Sequence, residues 1–471
     1  MALPPKARWL ALIAALLGWM LDGLEIGLFP LVGRTALREL LGDSASESTI
    51  GSWYAAINAG FLLGAATGGV FFGWLGDRLG RVRAMTLAVL VYAGCSGSCA
   101  IVQAPWQLAA LRWAGSLGMG GEWALGVALV VELWPGTSRV WLAGAIGAFG
   151  NLGYVALACL ALALNRLGDG QVHWRTLMLC GAAPAVLTLF LRLAVPESER
   201  WLAERRSGQA TRWSCRDLLA VLAGSAVGAG LLATWILEVN WLVRAPVSIL
   251  GIALIAACFL TPAIGYLKRT GAEVAEQRST IGRMLLAAGL SSVPLLATWG
   301  GVLWVYNWVD QLAPDSPDAR PLTQASTSIG AAIGALLAAH LAGWLGRRWS
   351  YAILCVLSAA ALYGFYTLNT AFDAVFLIAA GFVGLITAGF YGWLPLYLPE
   401  LFRTGVRATG QGFGFNFGRV FASFGSLQTG ALLAAFDGSY ARACSLAAGA
   451  YAFGLLLIPF APETKGKPLP E

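Results

Sequence analysis

The sequence predicts an all-α membrane protein of two six-helix transmembrane bundles with two additional transmembrane helices between them, on three observations. Apolar residues make up 58% of the chain and charged residues 12%, with a mean hydropathy of +0.70, far from the balance of a soluble domain. Apolar runs recur from Trp9 almost to Pro459, each long enough to cross a hydrocarbon core about 30 Å thick, which takes about 20 helical residues. The tetrapeptide Gly-Trp-Leu-Gly occurs at Gly73–Gly76 and again at Gly343–Gly346. Each copy ends the second run of a set of six and is followed by arginines, which marks two repeats.

Apolar runs bounded by charge place the first six helices at 9–29, 52–75, 84–102, 106–133, 140–164 and 174–195. Lys6 and Arg8 precede the first as in a signal peptide, but Asp22 and Glu25 interrupt it and no small-residue cleavage pattern follows, so it is expected to remain as a span. Six more helices are expected at 283–309, 323–345, 350–369, 374–398, 409–436 and 441–460, with a further pair at 218–239 and 247–267. The expected units are therefore 1–196, a first bundle; 197–280, a cytoplasmic linker with the extra pair; and 281–471, a second bundle. With the N-terminus inside, 22 of the 31 lysines and arginines fall in cytoplasmic segments, as the positive-inside rule asks. An odd number of central helices would invert the second half and spoil that asymmetry. Both termini are thus expected in the cytoplasm, in a multi-pass protein of the plasma (inner) membrane that works as a monomer.

The net charge of +7 and pI of 9.1 do not point to nucleic acid, because the basic residues sit in short loops rather than along one aromatic-studded face. Seven of the eight cysteines lie in apolar segments without metal-ligand spacing and read as small buried hydrophobes. No phosphate-cradling glycine loop, nucleotide motif or hydrolytic triad occurs. An enzyme is not expected, nor is a cofactor or metal, and energy would come from an ion gradient.

The charges left inside apolar runs are the informative ones, since an ionisable group at a helix centre costs at least about 2.5–3.5 kcal/mol on insertion scales and usually faces a wet cavity. In the first helix Asp22 and Glu25 stand three residues apart on one face; two close carboxylates repel when both are charged, which suits a proton-accepting site. The bland alternative leaves Glu25 solvated near the outer end. In the fourth helix Arg112 and Glu122 either serve transport or form an internal ion pair fastening the bundle. Glu132 and Arg139, nearer the cytoplasm, read as a latch pair. In the eleventh, Arg419 could neutralise a carboxylate bidentately beside Asn416, or pair with Asp22 or Glu122 for assembly. Asn58, Asn416 and nearby aromatics could orient hydroxyls. His340 reads as a packed neutral histidine rather than a proton relay, and His173 lies beside an outer loop.

The turn between the second and third helices reads GWLGDRLGRVR, Gly73 to Arg83. Its glycines, Gly73 and Gly80 among them, allow a tight backbone, and Asp77 amid Arg78, Arg81 and Arg83 offers charges that can pair differently in two conformations. This segment resembles the signature of the major facilitator superfamily, whose members are solute transporters with two six-helix bundles. The resemblance implies that Asp77 latches the cytoplasmic side against the start of the eleventh helix near Thr409, where a helix N-terminus favours an anion. The second copy, GWLGRRWS, lacks an acid at the aspartate position, so a latch there is expected to be weaker or differently built. PESERW from Pro196 and the C-terminal PETKGKPLPE resemble the bundle exits of sugar porters and organic-ion carriers.

Asp22 in LDGLE matches, and Glu25 departs from, the DGFD pattern of proton-coupled organic-acid carriers of this superfamily. Together with GDRLGR, with GMGGE running on to VVELWP in the fourth helix, and with fourteen helices, the sequence resembles the sialic acid:proton symporter branch. That resemblance implies symport of an organic anion, a sugar acid such as sialate or a monocarboxylate, with protons by alternating access. Asp22, Glu25 and Glu122 would then handle the proton, while Arg419, Asn416, Arg112 and Asn58 would hold the substrate. A neutral-sugar or organic-cation carrier and a non-transporting membrane sensor are the alternatives.

Overall fold

The computed structural model describes all residues except 1–4, 43, 135–138, 168–173, 187–194, 196, 209–211, 238 and 471. The far part of the sixth predicted helix, Pro196, His173 and Glu238 therefore lie outside the described residues. The first bundle comprises α1 (Pro5–Leu41), α2 (Glu47–Leu79), α3 (Arg81–Ser98), α4 (Pro105–Leu133), α5 (Arg139–Leu167) and α6 (Trp174–Cys180). A short linker helix α7 (Glu199–Arg206) leads to the additional hairpin α8 (Asp217–Ile236) and α9 (Trp241–Arg269). The second bundle follows as α10 (Val274–Gly300), α11 (Val305–Leu312), α12 (Ala319–Leu345), α13 (Arg347–Leu368), α14 (Ala374–Thr387), α15 (Phe390–Tyr397), α16 (Arg407–Asn416), α17 (Gly418–Ala435), α18 (Tyr440–Ser445) and α19 (Ala450–Leu457). Among the described residues twelve helical stretches are long and apolar enough to cross a membrane, the α8–α9 pair included.

Local chemistry explains the joints. Single glycines, Gly80 (φ +111°) and Gly346 (φ +95°), link α2 to α3 and α12 to α13, a backbone region that side chains avoid. Ser46 caps α2 through Thr49 N (3.2 Å), and Asp373 caps α14 through Phe376 N (2.8 Å), accepting donors that a helix start leaves unpaired. The first helix runs twelve residues beyond its predicted end at 29, to Leu41, and there Arg34 and Arg38 share the carboxylate of Glu47 at the start of α2.

Besides the twelfth span, which passes through a 3-10 turn at Leu446–Gly449 between α18 and α19, three spans of the second bundle are broken where the sequence showed continuous runs. The seventh breaks at Gly301 between α10 and α11, the tenth at Ala388 and Gly389 between α14 and α15, and the eleventh at Phe417 between α16 and α17. Backbone freed by such breaks at membrane depth is tolerated where protein satisfies it or a cavity is lined. Tyr366 Oη donates to Gly301 O at 2.8 Å, and residues flanking all three breaks line the central cavity described below.

Helices approach through small residues, since lipid offers no hydrophobic drive between them. A Cβ at Gly68 would stand 1.8 Å from Leu117 O, and one at Gly120 would stand 2.0 Å from Ala65 O, so α2 and α4 meet backbone to backbone. The bundles meet along two seams, α5 against α12 and α15, and α2 against α16 and α17. The hairpin lies over the second seam and touches both bundles. Thr67 of α2 donates to Ser225 Oγ (3.1 Å), while Trp235 packs on Phe424 (5.6 Å) and Phe259 on Phe417 (6.4 Å) of the second bundle. At its foot Trp213 stacks on Tyr266 at 4.4 Å within a cluster that includes Trp74 and Val406.

Gly68→Val is expected to abolish a monodisperse folded peak in fluorescence-detected size-exclusion chromatography. Gly230→Val, at a position where an added Cβ meets nothing within 4 Å, is expected to leave it intact.

Candidate functional site

Between the bundles lies a cavity of about 150 Å³. From the first bundle α1 contributes Trp19 and Asp22, α4 Trp123, and α5 Tyr154; from the second, the three broken spans contribute Trp299, Tyr306, Tyr391, Phe415 and Arg419. Arg419 follows directly on the break at Phe417. It is 5% exposed, its Nη1 donates to Asn416 Oδ1 (2.7 Å), and its guanidinium lies 5.3 Å from the Phe415 ring centre. Asn416 in turn donates to Gly120 O of the other bundle at 2.8 Å. The Nε of Arg419 and Oδ1 of Asp22 are buried without a hydrogen-bond partner. Asp22 lies within electrostatic reach of Arg419 across the seam and of Glu122 within its own bundle, and Glu122 sits beside Tyr92.

The structure separates other residues that the sequence grouped together. Glu25 does not face solvent, nor does it pair up with Asp22; it is buried in an ion pair with Arg112 (2.5 Å), and that guanidinium packs over Phe61 (4.4 Å) and Phe29 (5.4 Å). Neither Arg112 nor Glu25 lines the cavity, and Arg112 does not pair with Glu122. Asn58 lies outside the cavity too, in a small recess with Tyr54, Asn307 and Ser426. His340 is not packed: it is exposed on α12, with Nδ1 2.8 Å from Leu336 O.

The end that carries the described N- and C-terminal residues is closed by two related charge clusters. In the first, Glu132 Oε1 accepts from Arg81 Nη2 (3.3 Å) of its own bundle and Arg407 Nη1 (3.0 Å) of the other. In the second, Glu400 takes Arg347 through two bonds (2.8 and 3.0 Å) and faces Arg139 of the other bundle at 3.6 Å. Ser198 bonds Glu132, and Thr464 bonds Glu400 at 2.6 Å. Glu132 and Arg139, expected as partners, thus serve different clusters, because each looks across the seam rather than along its own loop. Asp77 accepts from Thr409 N (2.9 Å) and Oγ1 (2.7 Å) at the start of α16 while pairing with Arg81 (2.8 Å). Arg78 lies over Trp74 (5.1 Å) and reaches Cys215 Sγ (2.6 Å), and Arg83 is exposed on α3.

Glu197 and Glu463 cap the helices after the two glycine joints, accepting from Arg81 N (2.8 Å) and Arg347 N (3.1 Å) respectively. Burial pushes the Glu197 carboxyl above the usual carboxylate range. At Glu463 burial acts in the same sense but is outweighed by the backbone donors of Arg347, Lys465 and Arg348, which hold it below that range.

These pairings correct the register of the repeat. Gly80 corresponds to Gly346 and Arg81 to Arg347, so the two Gly-Trp-Leu-Gly copies are offset by one helical turn and Gly343 stands where Asp77 does. Arg347, Glu400 and Arg407 were not singled out from the sequence. A better repeat was present: ELWPGTSR at 132–139 and ELFRTGVR at 400–407 keep the same glutamate–arginine spacing, and PES at 196–198 matches PET at 462–464.

Contacts also cross the seam at the opposite end. Tyr54 meets Trp304 at 6.0 Å, and Arg320 Nη1 donates across the seam to Leu31 O at 3.1 Å.

A family model described as "Sugar (and other) transporter" matches residues 10–221 and 310–467. The chain belongs to this family. A putative metabolite transport protein of Haemophilus influenzae is 27% identical over 98% of both chains. A probable 4-methylmuconolactone transporter of Cupriavidus pinatubonensis is 26% identical over 95% of this chain and 89% of its own. Among solved structures, that of the proton:xylose symporter XylE bound to 6-bromo-6-deoxy-D-glucose superposes with a TM-score of 0.72, at 20% identity over 98% of both chains. The protein is thus a major facilitator transporter of small molecules and not an enzyme.

Removing one partner of a buried ion pair typically costs about 3–5 kcal/mol, because the other charge stays buried. Glu132→Gln, which leaves Arg407 without a carboxylate and Arg81 with Asp77 alone, is expected to lower the melting temperature in detergent by several degrees. Arg83→Gln, at the exposed end of the same signature, is expected to change it by less than one degree.

Proposed function

We propose that this transporter carries an organic anion, a sugar acid or a monocarboxylate, together with protons by alternating access. One observation carries the reading: in the central cavity a buried arginine from one bundle and a buried aspartate from the other share the lining, and neither is saturated with hydrogen bonds. A substrate carboxylate that takes Arg419 leaves Asp22 as an unneutralised charge beside Glu122. In a low-dielectric site that is costly, so anion binding and protonation of Asp22 favour one another, as linkage requires. Glu122 shares that proton, and protonation of Glu25 would release Arg112 from its pair. Arg419 is the substrate ligand, Asn416 holds it in place, and Asn58 and Arg112 act from outside the cavity on the helices that line it.

The arginine-rich latch end is the cytoplasmic one, both termini are cytoplasmic and the membrane is the inner (plasma) membrane, on the asymmetry of lysine and arginine. Residues 1–196 and 281–471 rock as units, joined by 197–280, and one copy of the chain suffices. The relative named for 4-methylmuconolactone transport supports an organic solute. An organic cation is the second reading, favoured by aromatic walls beside Asp22.

In proteoliposomes, uptake of radiolabelled nicotinate, gluconate or N-acetylneuraminate is expected to follow an imposed inward proton gradient for at least one of the three. Asp22→Asn should abolish the gradient dependence, and Arg419→Ala should abolish the uptake. Uptake indifferent to the gradient, or intact in Arg419→Ala, would sink the proposal and favour the cation or neutral-solute reading.

A further inference from the structure

Resting on the organic-anion reading, we infer that the cavity selects a small planar monocarboxylate, a single aromatic or unsaturated ring bearing one carboxylate, over polyhydroxylated sugar acids. Size is the first reason. The cavity volume is about 150 Å³, the scale at which an engineered apolar cavity in another protein takes up a single benzene. One ring with a carboxylate fills such a space; an N-acetylated sugar acid with a glycerol side chain exceeds it.

The walls supply the second reason. Trp19, Trp123, Trp299, Tyr154, Tyr391 and Phe415 all face the cavity, and flat π surfaces favour a flat guest. Trp123 and Phe415 come from opposite bundles and stack at 3.9 Å with 14° between their planes. The Arg419 guanidinium lies 5.3 Å from the same Phe415 ring. A carboxylate held on Arg419 therefore has an aromatic ledge directly beside it.

Part of the polar lining is already committed, which is the third reason, and Trp19 Nε1 is a buried lining donor without a partner. Thr298 Oγ1 accepts from Tyr391 Oη (2.9 Å), Thr327 Oγ1 donates to Thr323 O (2.8 Å) and Asn151 Nδ2 to Gly147 O (2.8 Å). The several hydroxyls of a sugar acid would be buried with few partners, and orphaned buried hydroxyls weaken binding. Among the described lining residues Arg419 is the one cation and Asp22 the one acid. A second substrate carboxylate would meet Asp22 without a counter-charge, so a monocarboxylate fits and a dicarboxylate does not.

The test is calorimetric titration of the purified full-length protein with benzoate, nicotinate, terephthalate, methyl benzoate, gluconate and N-acetylneuraminate. Benzoate or nicotinate is expected to bind at least tenfold more tightly than either sugar acid. Methyl benzoate, which lacks the carboxylate, and terephthalate, which doubles it, are expected to lose at least tenfold against benzoate. Phe415→Leu should weaken nicotinate about threefold to tenfold, the range of an aromatic pair, and the wild-type panel decides the matter even if that variant fails to fold. A sugar acid binding more tightly than both ring acids, with that binding lost in Arg419→Ala, overturns the inference and leaves the organic-anion reading standing. Binding of methyl benzoate equal to that of benzoate, or no binding of any carboxylate, overturns both.

Discussion

Glu132 and Glu400 are each shared between an arginine of their own bundle and an arginine of the other. A carboxylate taken out of water and left alone costs several kcal/mol, so each of these two sites depends on charge meeting charge, and the docked bundles supply a second arginine to each. The own-bundle arginine makes the arrangement reversible. When the bundles part at this end, Glu132 loses Arg407 and Glu400 loses Arg139, but Arg81 and Arg347 can stay with their partners. Neither carboxylate is stripped bare. The contacts that cross the seam at this end include one ion pair in each cluster, the grip of Asp77 on Thr409, and the bonds from Arg81 to Thr404 O and from Arg139 to Lys467 O. Energies of that size suit an equilibrium that a substrate and a proton can shift.

One short helix connects this latch to the cavity. Arg407, at the start of α16, faces Glu132; Thr409, two residues on, holds Asp77; Asn416 at its end bonds Gly120 O and steadies Arg419 beyond the break at Phe417. A Cβ at Gly412 would stand 2.1 Å from Gly69 O, so the helix lies on α2 with no slack between them. Arg407 opens this ten-residue helix and Asn416, the hydrogen-bond partner of Arg419, closes it, so a displacement of the helix moves the latch arginine and the support of Arg419 together. The additional hairpin lies over this seam and sets Trp213 and Tyr266 against Trp74 and Val406, one residue from each bundle near the latch.

Much of this was written in the sequence at the level of spans, because hydropathy and the tally of arginines are one-dimensional signals. The helix breaks were not, since apolar content continues through Gly301, Ala388 and Phe417 while only tertiary partners such as Tyr366 satisfy the freed backbone. Asp22 and Arg419 could be singled out as costly charges in apolar runs, and they do meet in space. Glu25 and Arg112 stood out for the same reason, but spacing along one helix cannot name a partner on another. The identical letters of Gly-Trp-Leu-Gly misled by one turn, because the structural anchor is the positive φ of Gly80 and Gly346 and the arginine after it. The matching glutamate–arginine spacing at 132–139 and 400–407 marks the second latch, in loops whose arginines the positive-inside rule also accounts for.

The most direct test of the latch is a distance across it. Spin labels at positions 83 and 349, exposed and one on each bundle beside the glycine joints, would be introduced as unnatural amino acids, since the eight native cysteines would take thiol reagents. Double electron–electron resonance in nanodiscs is expected to give one narrow distribution for the otherwise native protein. Glu132→Gln combined with Glu400→Gln is expected to add a population at longer distance. An unchanged narrow distribution in that double variant would contradict the account, because closure would then not depend on the two shared carboxylates.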